Sequence, residues 1–190
     1  MHRAHAAEQI ALALALGSIA TPALSQPVTF ADLQGATIEA TVVYQQVRRR
    51  DGQVLSGETR QSWRTVIGPG DAIQSTTSQT SSSERGTRTS APRTGSFTLG
   101  KPRTVFDLGG GDAVWAFTNG TLNYLRTYRG AGGYKRTFTF TRAGGGLNCS
   151  VRTAFARETG VGRIDLESPF GGRVEILSSK QVSSSCRVSK

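Results

Sequence analysis

Apolar and polar residues alternate along most of this chain with the period of two that marks a β-strand with one buried face. The clearest case is Ala36-Thr-Ile38-Glu-Ala40-Thr-Val42-Val-Tyr44, followed by an Asp51-Gly52 turn. Gln61-Ser-Trp63-Arg-Thr65-Val-Ile67 repeats the pattern until Gly68-Pro69-Gly70-Asp71 breaks it. Further on, 113–117 and 122–128 flank Asn119-Gly120, the dipeptide of a tight hairpin. Tyr134, Arg136, Phe138, Phe140 and Arg142 share one face of the next strand, with Lys135 and threonines on the other. Segments 149–157, 163–167, 173–177 and 182–188 complete the series, and the only helical signal is a single turn near 31–35.

About eight to ten short strands joined by Gly-rich turns predict an all-β fold. Each strand with an apolar face has to hide it, and serial hairpins do so most simply as a single antiparallel meander closed into a barrel. A β-sandwich is the alternative. The expected unit is one domain over 26–190. Within it, 13 of the 23 residues from Gln74 to Ser96 are Ser or Thr. This stretch reads as a long polar hairpin, since Thr suits a strand, or as a mobile loop, and such Ser/Thr-rich composition more often marks a solvated connector.

Residues 1–25 read as a secretory signal peptide, removed before Gln26. Arg3 precedes the apolar run from Ile10 to Leu16, and Ala23 and Ser25 supply the small residues of a cleavage site. The run is far short of the ~20 residues a membrane-spanning helix needs, so no transmembrane segment is expected in the mature chain. Cleavage takes both histidines, His2 and His5, with it. That excludes Ser-His-Asp and Cys-His catalysis and every imidazole metal site, so no catalytic residue, metal or cofactor is assigned. The two cysteines, Cys149 and Cys186, then form a disulfide in an oxidising compartment, tying the last strand to one about forty residues earlier.

Phe30-Ala-Asp32-Leu33-Gln-Gly35, leading into a long first strand, resembles the start of lipocalin-type barrels. Those carry a Trp soon after the Gly, whereas Ala36 and Thr37 follow here. The leader, the basic meander and the closing Ser185-Cys186-Arg-Val188 are similar to small exported bacterial proteins of uncharacterised function. The resemblance implies an exported barrel and transfers no functional residue.

Charge supplies the candidate chemistry. The net charge is +10, and arginines far outnumber lysines. Guanidinium forks match carboxylates and phosphates, so such a surface attracts anions. Arg48, Arg49 and Arg50 at the end of the first long strand, with Arg85, Arg88 and Arg93 in the polar stretch, are the candidate anion-binding residues. The expected partner is an anionic lipid, a glycan or an acidic protein of the cell envelope. Export disfavours nucleic acid, although aromatics lie near basic residues in 124–129 and 134–142. Asp165 and Glu167, about 7 Å apart on one strand face, provide a weaker reading as a carboxylate-dependent enzyme acting on polysaccharide. An inhibitor or adaptor docking an acidic protein is a further alternative. The leading expectation is an exported, periplasmic or extracellular, non-enzymatic β-barrel module that binds an anionic or amphiphilic envelope component.

Overall fold

The computed structural model describes residues 26–50, 52–105, 111–128, 133–155, 164–167 and 173–190, so the leader read at 1–25 lies outside the described residues. A single 3-10 turn (Ala31–Leu33) precedes twelve strands: β1 (Thr37–Arg50), β2 (Gln53–Ile67), β3 (Ala72–Ser83), β4 (Gly86–Thr89), β5 (Arg93–Thr98), β6 (Arg103–Thr104), β7 (Asp112–Thr118), β8 (Thr121–Thr127), β9 (Gly133–Ala143), β10 (Gly146–Phe155), β11 (Ile164–Glu167) and β12 (Arg173–Ser189). The class is all-β, as the alternation predicts. The hairpin signals hold locally. Asn119 (φ 48°) and Gly120 (φ 72°) take the left-handed backbone that a two-residue turn between β7 and β8 requires.

The strands do not form the one closed meander expected from the sequence. Hydrogen bonding divides them into two antiparallel sheets, one ordered β11-β12-β1-β2-β3-β4 with β5 also on β3, the other β10-β9-β8-β7-β6. The reason lies at the two junctions. Where β10 meets β12, side chains and the disulfide replace the backbone ladder. Cys149 and Cys186 are bonded there, 37 residues apart, as expected. Further along, Gln181 inserts its amide into the β10 backbone, accepting from Thr153 N at 2.9 Å and donating to Val151 O at 3.2 Å. At the other junction, Gly100 N donates to Trp115 O at 2.7 Å and Arg103 Nη1 to Ser96 O at 2.6 Å.

Two other expectations change. The polar stretch 74–96 is not a loose connector but is built into β3, β4 and β5, with β3 paired to β2 from Gly57↔Ser83 to Ile67↔Ile73. The segments read as two strands at 173–177 and 182–188 are one long strand, β12. Its register against β1 slips at Val43/Tyr44 and at Val47/Arg48, leaving Val182 and then Leu177 unpaired as bulges.

Facing strands enclose an interior that changes character along its axis. At the lower end it is apolar: Leu33, Ile38, Ile67, Trp115, Leu122 and Phe138 are fully buried. Trp115 stacks on Phe138 with ring centroids 5.8 Å apart. The 3-10 turn covers this end through Leu33 and through Phe30, which lies 5.7 Å from Phe117. Asp32 fastens the turn, accepting from Thr29 N at 2.7 Å and pairing with Arg142 at 2.8 Å. Those bonds, the Thr29 backbone bond foremost, lower the Asp32 carboxyl to about 2. Towards the upper end, where β1 runs into Arg48, the inward positions turn polar.

A buried arginine and a polar column in the sheet interior

The inward row of β1 reads Ile38, Ala40, Val42, Tyr44, Gln46, Arg48 from bottom to top, apolar first and polar last. The row of β9 runs the other way along the chain, so Tyr134 and Arg136 stand high while Phe138 and Phe140 stand low. Strand pairing sets Arg136 between Tyr124 on β8 and Thr153 on β10. It is fully buried.

Its guanidinium donates from Nε to Thr153 Oγ1 at 2.9 Å and from Nη2 to Gln61 Oε1 at 2.7 Å and to the Tyr44 hydroxyl. Tyr44 and Thr153 hydroxyls are themselves bonded at 3.0 Å. The plane lies over Trp63, 4.2 Å from the ring centroid, with Tyr134 at 5.5 Å. Burial pushes the Tyr134 phenol well above its ordinary value, so this neighbour stays neutral. Every acceptor around Arg136 is therefore uncharged, and no carboxylate among the described residues bonds it. Nη1 is buried without a hydrogen-bond partner, and so are the indole Nε1 atoms of Trp63 and Trp115, whose rings lie 6.1 Å apart.

An arginine remains protonated in any protein setting. Moving its charge out of water costs several kcal/mol even after relaxation. Charge-assisted bonds to neutral oxygens, at roughly 1.5–3 kcal/mol each, and the cation–π contact, about 2 kcal/mol when desolvated, offset this cost. They do not cancel the charge. A second buried arginine, Arg126, lies two residues beyond Tyr124 on β8, 4.7 Å over the Tyr128 ring. Around Arg136, its own charge, the unpartnered Nη1 and the two indole N–H groups make a chemistry suited to holding an anion.

From Arg136 a column of hydrogen-bonded side chains runs upward. Gln61 Nε2 donates to Gln79 Oε1 at 3.3 Å, and Gln79 Nε2 donates to Ser81 Oγ at 3.1 Å. Ser81 bonds Thr59 at 3.2 Å, Thr59 donates to Gln46 Oε1 at 2.9 Å, and Arg48 Nη2 donates to Thr59 Oγ1 at 3.3 Å. Half-buried apolar residues flank the top of the column. Leu55 and Ile176 stand beside Arg48 in register, and Phe155 packs edge-on against Tyr44 at 5.1 Å.

No family model, curated protein or solved structure matches this chain.

The six arginines singled out from the sequence have separate surroundings. Arg48 points inward at the head of the column, and burial lowers its pKa. Arg49, on the opposite face, pairs with Glu175 at 2.9 Å. Arg50 ends β1, and its side chain lies outside the described residues. Arg85 is exposed in the β3–β4 turn, Arg88 is exposed opposite Ser81, and Arg93 is exposed opposite Thr77. Pairing therefore draws Arg48, Arg49, Arg50, Arg85 and Arg88 to the upper end without forming one cluster. Asp165 faces Glu175 and Glu167 faces Arg173 across β11 and β12; the side chains of Asp165 and Glu167 lie outside the described residues.

A shallow trough of about 490 Å³ crosses the outer face of the first sheet, lined by Glu39, Thr41, Ser62, Arg64 and Arg187 among others. Its charged residues are exposed, Glu39 and Arg64 lying 3.9 Å apart, and nothing there concentrates one sign of charge. Sequence reasoning passed over Arg136, Tyr44, Gln61 and Trp63 as site residues. The available signal was phase: Arg136 alternates in step with Tyr134, Phe138 and Phe140, on the face that must be buried.

Proposed function

We propose that the protein is an exported, non-enzymatic binding module that takes an anionic or amphiphilic component of the cell envelope into its interior. The observation that carries this reading is Arg136: a fully buried guanidinium held only by neutral acceptors, with Nη1 unpartnered. Groups left this way raise the energy of the folded chain, and a site that needs an anion accounts for them. In this proposal the two sheets are the halves of one flattened barrel. The disulfide and Gln181 close one side, and the Gly100 and Arg103 bonds close the other. The turn at Ala31–Leu33 forms the floor, as the lipocalin-like start suggests, and Arg48 stands at the mouth.

The test is native mass spectrometry of the protein purified from the compartment to which its host exports it. The expected result is a chain beginning at Gln26, oxidised at both cysteines, carrying an added mass that leaves on denaturation and proves acidic. A bare chain that takes up no anionic amphiphile on incubation would overturn the reading.

A further inference from the structure

Arg136 sits below an apolar rim, and the order of the groups points to the shape of what binds. Leu55, Phe155, Ile176 and Tyr134 are half-buried around the upper end, above a polar column that ends on a sealed positive charge. A wholly polar anion would have no use for the rim, and a neutral lipid would leave the charge unmet. We infer that the interior seats the carboxylate headgroup of a long-chain amphiphile on Arg136, head downward, with its chain leaving past Leu55, Phe155 and Ile176. This rests on the proposed binding function and narrows it to one headgroup class.

Three observations favour a carboxylate. Arg136 offers a single positive charge, which a carboxylate matches and a phosphate dianion exceeds. Its planar fork suits two coplanar oxygens. Its fixed partners, Tyr44 and Thr153, share one hydroxyl–hydroxyl bond, which leaves one O–H of the pair to donate to an oxygen of the ligand.

Nη1 is sealed from solvent, so the ligand reaches Arg136 by replacing an acceptor already in place. Gln61 Oε1 is the replaceable one. It belongs to a half-buried side chain that already has a second partner, Gln79, to which it can turn. The exchange swaps a neutral amide oxygen for a charged one and frees the guanidinium to complete its bonds. Trp63, stacked on Arg136, reports the event through its fluorescence.

The experiment titrates the whole mature protein, by Trp fluorescence and calorimetry, with hexadecanoic acid, hexadecanol and hexadecyl phosphate. The acid should bind at least roughly tenfold more tightly than the alcohol, the ratio one charge-assisted hydrogen bond supplies. Arg136→Met should remove that preference, leaving the acid and the alcohol to bind alike. Gln61→Glu should also remove it, by giving Arg136 a carboxylate from within the chain. Arg136→Lys, which keeps the charge but loses the fork, guards against misfolding of the Met variant and should retain part of the preference. Equal binding of acid and alcohol, or a preference that survives both Arg136→Met and Gln61→Glu, overturns the inference. Tighter binding of the phosphate overturns the headgroup alone and leaves the binding function standing. Binding of none of the three overturns both.

Discussion

The lower and upper halves of the interior are built on the same strands and obey different rules. Below, Trp115, Phe138, Leu122, Ile38 and Ile67 fill the space between the sheets with apolar volume, and Leu33 on the 3-10 turn completes it. Above, the same strands present Tyr44, Gln46, Thr59, Gln61, Ser81, Arg136 and Thr153, all buried or half-buried and hydrogen-bonded to one another. Apolar packing contributes stability at about 25 cal/mol per Å² removed from water. A polar layer has to match every group it buries and gains little beyond that. The lower half holds the fold together. The upper half holds residues that apolar ones would outperform in stability, which the proposed binding function would account for.

Four changes break or sharpen this contrast. The largest effect is expected in the lower half. Trp115→Ala leaves a cavity among Trp63, Phe97, Tyr124 and Phe138 and should lower stability by roughly 3–5 kcal/mol, read from denaturant midpoints. Paired Cys149→Ser and Cys186→Ser substitutions come next, at about 3 kcal/mol in the chain-entropy picture, measured by the shift in thermal midpoint under oxidising conditions. Reducing the wild type should give the same shift. Gln181→Ala strips β10 of two bonds at the junction and should cost about 1–3 kcal/mol. Hydrogen exchange should then rise at Thr153 before it rises anywhere in β8 or β9.

The smallest effect is a pH dependence at the floor. The Asp32 carboxyl has a folded-state value near 2, below its ordinary 3.8. A lowered carboxyl contributes stability that is complete above about pH 4 and is lost as pH falls towards 2. Asp32→Asn should remove that acid-limb component and leave the neutral-pH fold intact, which an acid titration followed by circular dichroism checks.

What the sequence made legible tracks the same contrast. β1 was readable because its inner face, from Ile38 to Tyr44, is apolar against polar neighbours. The disulfide was readable from a lone pair of cysteines together with the export expected from 1–25, and the 3-10 turn from the short helical signal near 31–35. β3 was not. Its inner face is Ser75, Thr77, Gln79 and Ser81 and its outer face is Thr76, Ser78 and Thr80, so alternation carried no signal. Both faces are polar because the inner one lines the polar upper half. Thr76 and Thr94, bonded at 2.8 Å, and Thr80 and Thr89, bonded at 3.0 Å, show what ties its outer face to the neighbouring strands. The length of β12 was hidden for a different reason: each bulge reverses the inward phase, and a reader of alternation sees two strands.

The site was half legible. Arginine-richness pointed to anions, and pairing does bring Arg48 and its neighbours to one end. The deciding residue, Arg136, stood in plain sight on an apolar face, but only a partner across the interior says whether such a residue is neutralised. No charge pattern along one strand reveals that Gln61, 75 residues earlier, supplies an amide oxygen in place of a carboxylate.

The central claim is that Arg136 is retained for its ligand and not for the fold. The most direct measurement is the thermal midpoint of wild type and Arg136→Met, each with and without saturating hexadecanoate. The variant alone should be at least as stable as wild type, since a well-packed apolar chain replaces a buried charge. Only wild type should gain from the ligand, by about 2.7 kcal/mol at a hundred times the dissociation constant. A variant several kcal/mol less stable than wild type, with no ligand-induced rise in either protein, would contradict the claim and make Arg136 a structural residue.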